Sequence, residues 1–174
     1  MTKGIWARFG RDERGVSVVE FALLMPVMLA LLLGAVTVFD LFRTAQSAEK
    51  ATFTVGDMLS RQTAPITEAQ LKTMVTFVAN TVDYEGEARI RVSSISNTAG
   101  KLVTEWTKTV GNTAVTIPAM SFSDIPTMAA GDSVILTEVY VPHRAFVAIV
   151  GLDDIVYVNR AVHRPRFVGK IAYK

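Results

Sequence analysis

The side chains able to do chemistry are few and scattered. His143 and His163 are the only two histidines, and neither has a second histidine or an acid at a recognised metal-ligand spacing. Cysteine is absent, which removes disulfides, thiolate zinc sites, iron–sulfur clusters and thiol nucleophiles in one step. Gly15-Val16-Ser17 does not continue to the second glycine of a nucleophile elbow, and neither a phosphate loop nor a dinucleotide fingerprint occurs. Asp153-Asp154 is an isolated acidic pair of the kind that sits in turns and caps. No metal, no cofactor and no catalytic residue is expected, and the chain does not read as an enzyme.

One spacing does suggest chemistry, performed on the chain rather than by it. Gly15-Val16-Ser17-Val18-Val19-Glu20-Phe21 stands between a basic leader and a charge-free run. Cleavage after Gly15 makes Val16 a new N-terminus, with its amine four residues before Glu20 on one helix face. That amine, with an ordinary pKa of about 7.7–8.0, carries positive charge at the positive end of the helix dipole. A carboxylate at Glu20, from the same or a neighbouring subunit, offsets it. A plainer account is that Glu20 lies in the first helical turn and complements the dipole directly. An acid in a membrane segment is unfavourable by about 2.5–3.5 kcal/mol at the bilayer centre and less near an interface, so its presence invites a functional reading.

The element that must position this motif is the run 21–39, FALLMPVMLALLLGAVTVF, which carries no charge. At 1.5 Å per residue it covers roughly 28 Å, close to the hydrocarbon thickness of a bilayer. Phe21, Leu24, Pro26, Leu29, Leu32, Gly34 and Phe39 are its expected anchor residues. The 174-residue chain is 50% hydrophobic, with a mean hydropathy of +0.33, too oily for a simple soluble domain. Lys3, Arg8, Arg11 and Arg14, offset by Asp12 and Glu13, precede the run, whereas Asp40, Arg43, Glu49 and Lys50 balance after it. The positive-inside bias keeps the N-terminus cytoplasmic. A cleaved secretory signal fits poorly, because the apolar run is too long and the small pair Ala45 and Ser47 lies beyond charged residues. A formal net charge of +2 supplies no broad footprint for nucleic acid. Pro26 is expected to kink the helix, and Ala22, Ala30 and Gly34, spaced by multiples of four, permit close helix approach.

The string RFGRDERGVSVVEFALLMPVMLALLLGAV resembles the entry of the TadE-like pseudopilins, or minor pilins, of the Tad (tight adherence, Flp-type) branch of type IV pilus systems. The pattern is a basic leader, a glycine, four residues, a glutamate and a long apolar helix. Related major pilins usually carry Tyr after the Glu; Phe21 keeps the ring and loses the hydroxyl. DSVILTEVYVPHRAF and RAVHRPRFVGKI are similar to the end of the family's head. The resemblance implies a prepilin peptidase substrate cut between Gly15 and Val16, held in the inner membrane. It implies lipid, other Tad pilins and assembly-platform proteins as partners, with possible incorporation into an extracellular pilus.

The rest of the chain reads as an α+β head on this helix, with a leader at 1–15, a transmembrane and stalk helix at 16–62, and a periplasmic head at 63–174. Leu41, Phe42, Ala45, Ala48, Thr52, Val55, Met58 and Leu59 recur at spacings of three and four, with Gly56 as a tolerated weakness. Pro65 breaks the chain. Thr67-Glu68-Ala69-Gln70 supplies a capping box for a second helix with Leu71, Met74, Val75, Val78 and Val82 on one face. Ala88, Ile90 and Val92 alternate with Arg89 and Arg91, a turn falls at 97–100, and a return strand follows to Val110. The segments 133–141, 155–162 and 167–173 supply two or three more strands, with Pro165 at an edge or bend, giving four or five antiparallel strands in all. The apolar segment 145–152, too short to span a membrane, is expected as a buried helix or turn. Arg160, Arg164, Arg166, Lys170 and Lys174 read as a solvated basic face, or as a contact for an acidic partner, lipid head groups or an anionic surface. Trp106 is expected in the core with one indole acceptor, or else as a partner anchor.

Two roles share this architecture: a processed pilin-like subunit, and an uncleaved single-pass periplasmic scaffold that leaves Gly15 and Glu20 idle. A third, an anchored enzyme, requires a pocket with converging titratable groups.

Overall fold

The computed structural model describes residues 16–83, 88–143 and 155–174. The expected turn or helix at 145–152 and the acidic pair Asp153-Asp154 lie outside these, as does the leader. Helix α1, Val16–Ser60, is continuous through Pro26, because no turn cluster separates the apolar run from the amphipathic stretch after it. It stops ahead of Pro65, which disfavours helical backbone in the residue before it.

Beyond the apolar run, α1 buries a face made of Thr44, Ala48, Ala51, Thr52, Val55 and Leu59. The expected periodicity holds with two corrections: Phe42 and Met58 turn outward, and Thr44 and Ala51 take the inner positions. Phe42 lies about 200° around the helix from Thr44, so the sheet that covers one leaves the other outside. Thr52 satisfies its buried hydroxyl by donating to the Ala48 carbonyl at 2.7 Å.

Helix α2, Glu68–Val82, has the expected capping box: Thr67 N–H donates to Gln70 Oε1 at 2.9 Å, and Gln70 N–H to Thr67 Oγ1. Leu71, Met74, Val78 and Val82 are buried, and Val75 packs at the margin. The four strands are β1 (Arg89–Thr98), β2 (Lys101–Gly111), β3 (Ser133–His143) and β4 (Ile155–His163), in the order β2-β1-β3-β4 and all antiparallel. Ala99 and Gly100, with φ of 51° and 85°, form the two-residue β1–β2 turn; two left-handed residues match the twist of the strands.

Both faces of the two central strands, β1 and β3, are covered. Ile90, Val92, Ile135, Val139 and Val141 pack on α1 and α2. On the opposite face Ile95, Val134 and Leu136 lie under Met120, Ile125 and Met128 of the β2–β3 connection, residues 112–132. Residues 167–173 do not form a fifth strand. Their hydrogen bonds go elsewhere: Ala172 O accepts from Ile66 N–H at 2.8 Å, Gly169 O from Ser133 Oγ at 2.6 Å, and Ile171 O from the Trp106 indole at 2.9 Å. Tyr173 makes only an isolated parallel bridge to Ile66. The tail is thus a strap, and Trp106 is a packed residue with its single acceptor.

Gly56 has a structural reason that periodicity did not reveal. A Cβ built there would lie 2.7 Å from His163 Cε1 and closer still to Nδ1. Gly56→Ala is expected to destabilise the head by about 1–3 kcal/mol through overpacking, outweighing the ~1 kcal/mol gained in helix propensity. Gly34→Ala, where an added Cβ meets nothing within 4 Å, is expected to be neutral or stabilising. Denaturant unfolding of the detergent-solubilised chain measures both; a G56A midpoint at or above that of the native chain refutes the close approach.

Candidate functional site: the membrane helix and its junction with the head

The expected anchor residues lie on the part of α1 that stands clear of the head. Phe21, Leu24, Leu29, Leu32 and Phe39 are 47–70% exposed, Pro26 is exposed, and Gly34 is half-buried. One 18-residue window in this helix has a mean hydropathy of 2.5 and is only 6% buried. A core helix of a soluble domain has neighbours over such a surface, whereas residues 17–33 of this one are all exposed among the described residues. It therefore has the length, composition and exposure of a single-pass membrane anchor.

Of the processing residues, Gly15 lies outside the described part and Val16 opens α1. Glu20 is exposed and sits four residues further on, beyond the first turn. The simple dipole account of Glu20 is weakened by this, because the macrodipole acts most strongly within the terminal turn. Phe21 follows it on the apolar surface. No other described element approaches Glu20 or Phe21 closely enough to bury them.

Where the apolar run ends, the head begins without a gap. Asp40 Oδ2 lies 3.2 Å from His143 Nε2, and the Tyr157 hydroxyl donates to the Leu41 carbonyl at 2.9 Å. Burial, reinforced by the negative charge of Asp40, raises the Tyr157 pKa and keeps it a neutral donor. At the other end of the same sheet face His163 packs over Gly56, with Phe53 edge-on at 4.7 Å between ring centroids. Both its ring nitrogens are buried without a hydrogen-bond partner. Desolvation lowers its pKa, opposed by Asp57 and assisted by Arg166. The two histidines are thus separated along the sheet and packed structurally; among the described residues, no group of three or more His, Asp or Glu side chains is placed to hold a metal.

Among the described residues, four of the five basic tail residues, all but Lys174, face an acid. Arg160 meets Asp124 and Glu138, Arg164 meets Asp132, Arg166 meets Asp57, and Lys170 meets Glu105. The expected cationic face is solvated, with Arg164, Arg166 and Lys170 48–65% exposed, and its ion pairs also tie elements together. Sequence reasoning missed the most buried of these. Arg91, Glu138 and Arg160 stand opposite one another across β1, β3 and β4. Arg91 and Arg160 both bind the Glu138 carboxylate, the latter at 3.0 Å, and the Tyr140 hydroxyl donates to it at 3.2 Å. Arg91 also donates to the Pro118 carbonyl at 2.7 Å, which fastens the 112–132 connection over the sheet. The hydrogen bond to Glu138 raises the Arg91 pKa further, and burial raises that of Tyr140. The available signal was Glu138 itself, the one acid within a strand rich in β-branched residues.

Comparison with known families gives one result: residues 15–56 match the family model described as TadE-like protein. The matched segment opens at Gly15, takes in the apolar run and ends at Gly56, under His163. It is consistent with a TadE-like protein of Tad pilus systems. No curated protein and no solved structure matches the chain.

The network around Glu138 lies outside that match, so its worth must be read from physics. Its side chain is 1% exposed, and removing it strands the Arg91 guanidinium in the interior. Glu138→Ala is expected to lower stability by about 3 kcal/mol or more, the usual result of breaking a buried pair on one side. Chemical denaturation followed by tryptophan fluorescence checks this, and a loss under 1 kcal/mol would refute it.

Proposed function

We propose that the chain is a membrane-anchored minor pilin or pseudopilin that takes part in Tad/Flp pilus assembly after a prepilin peptidase cleaves between Gly15 and Val16. The observation that carries this reading is the TadE-like match over residues 15–56, lying along a helix whose apolar half is exposed from Ser17 to Leu33. The family is associated with Tad pili and is not an enzyme family. In this reading the N-terminus is cytoplasmic, α1 crosses the inner membrane once, and the head faces the periplasm.

The physical logic concerns what replaces lipid. A helix with apolar side chains all round leaves the bilayer only if other helices cover it, and close association in membranes rests on packing rather than on a hydrophobic difference. Other pilins supply that cover. A freed Val16 amine brings a positive charge into the same environment, and Glu20, one turn away, is the nearest carboxylate on α1 able to neutralise it. The head needs no catalytic group for this role, and among the described residues Arg91, Glu138, Arg160, Arg164, Arg166 and Lys170 hold strands, tail and connection together.

N-terminal mass spectrometry of protein extracted from membranes of cells that contain the peptidase is expected to find Val16 as the first residue. An intact Met1 leader under those conditions would instead identify the uncleaved periplasmic scaffold. Glu20→Ala is expected to insert into the membrane normally while its incorporation into pili, measured by immunoblot of sheared filaments, falls several-fold. Equal incorporation would leave Glu20 without the proposed role.

A further inference from the structure

The strand β4 runs alongside α1, and its level on the helix can be read from two contacts. Tyr157 bonds the Leu41 carbonyl, and His163 packs on Gly56. The strand distance between the first pair and the second is about 20 Å at 3.3 Å per residue, and the helix distance about 22 Å at 1.5 Å per residue. The two elements therefore rise together. Ile155, two residues before Tyr157, then falls about 7 Å lower, beside Thr37. Burial agrees: Thr37 is 2% exposed, between Val36 at 44% and Val38 at 43%. The lowest row of the sheet, Ile155 opposite His143, is level with the last turn of the apolar run.

This leaves no water layer between membrane and head. If the head stayed wholly above the lipid, only residues 21–36 would remain to cross, about 24 Å against a hydrocarbon core of ~30 Å, and closing the difference would draw Glu20 into the bilayer. Letting residues 21–39 fill the core puts the lowest strand row at its boundary. The next roughly 5–7 Å of the head, about two strand residues, then stands among the head groups.

The surfaces at that level suit the location. Val156 and Val158 are 46% and 45% exposed on the outer face of edge strand β4, and Phe39 and Phe42 are 70% and 65% exposed on the far side of α1. We propose that the base of the head is immersed in the lipid head-group zone, with Val156 and Val158 on one side and Phe39 and Phe42 on the other touching lipid. This extends the membrane-anchor reading and rests on it. The Asp40–His143 pair and the Tyr157–Leu41 bond fix the head against tilting, so lipid contact sets the height of the whole sheet.

The natural chain has no cysteine, so single cysteines report position without interference. The full chain, purified and reconstituted in phosphatidylcholine–phosphatidylglycerol liposomes, would carry an environment-sensitive fluorophore at Leu29→Cys, Phe42→Cys, Val156→Cys, Val158→Cys or Lys101→Cys, the last in the β1–β2 hairpin at the far end of the sheet. Quenching is read with lipids bearing nitroxide at the head group or bromine mid-chain. The expected result is strongest mid-chain quenching at position 29, and head-group quenching at 42, 156 and 158 at least threefold above that at 101. If 156 and 158 match 101 while 29 is quenched by the mid-chain lipid, the anchor stands and immersion is refuted. If 29 is itself unquenched, the anchor reading fails and immersion with it. Fluorophores at 156 and 158 shielded from aqueous iodide yet not quenched by either lipid would mean protein covers the surface, which also refutes the proposal.

Discussion

The closeness of α1 to the sheet is the constraint on which the rest of the molecule depends. One continuous helix has to be apolar on every side over its first half and on one side over its second. Along that second half Ala48, Ala51 and Gly56 keep the seam shallow, so β3 and β4 lie directly against the helix backbone. The close contact lets a tyrosine on β4 reach a helix carbonyl and a histidine on β3 reach Asp40. A bulkier seam would hold the sheet away and lose both. The head is thus not suspended from the membrane helix by a linker; it is laminated onto it.

The opposite face of the sheet solves a different problem. A four-stranded sheet with helices on one side leaves its other side to water unless something covers it, and here the cover is the irregular connection 112–132. An irregular segment buries little apolar area per residue, so polar ties supplement it. Arg91 and Arg160 reach the connection from two different strands and share Glu138 between them. Such a cluster is a weak source of net stability, since desolvating three charges costs about as much as their attraction returns. Its effect is on specificity of arrangement: it admits one register of β1, β3 and β4 and one placement of the connection.

Much of the fold was legible because local signals and tertiary demands coincided. The uncharged run, the capping box at Thr67 and Gln70, and the turn at Ala99-Gly100 each rest on physics confined to a few residues. The errors came where distant partners decide. Phe42 recurs at a spacing of three, but it stands about 200° around the helix from Thr44, so the sheet that covers Thr44 leaves Phe42 facing outward. Residues 167–173 have strand-like composition, yet their backbone groups find acceptors and donors at Ile66 and Trp106 before any strand edge. The basic tail reads as free charge because its acids, Asp57, Glu105, Asp124 and Asp132, are far away in sequence. At the candidate site the apolar run was visible from composition alone, while the Asp40 junction was not, since nothing near His143 in sequence announces an acid across the fold.

The paired tail has a consequence for crowding. Arg160, Arg164, Arg166 and Lys170 each face an acid within a few ångströms, so this part of the surface presents mostly short dipoles. Dipolar fields fade faster than monopolar ones, and ions in physiological salt screen what is left beyond about 8 Å. Heads meeting through this surface would feel little Coulomb repulsion from it, so shape would weigh more than ionic strength in how closely they stand.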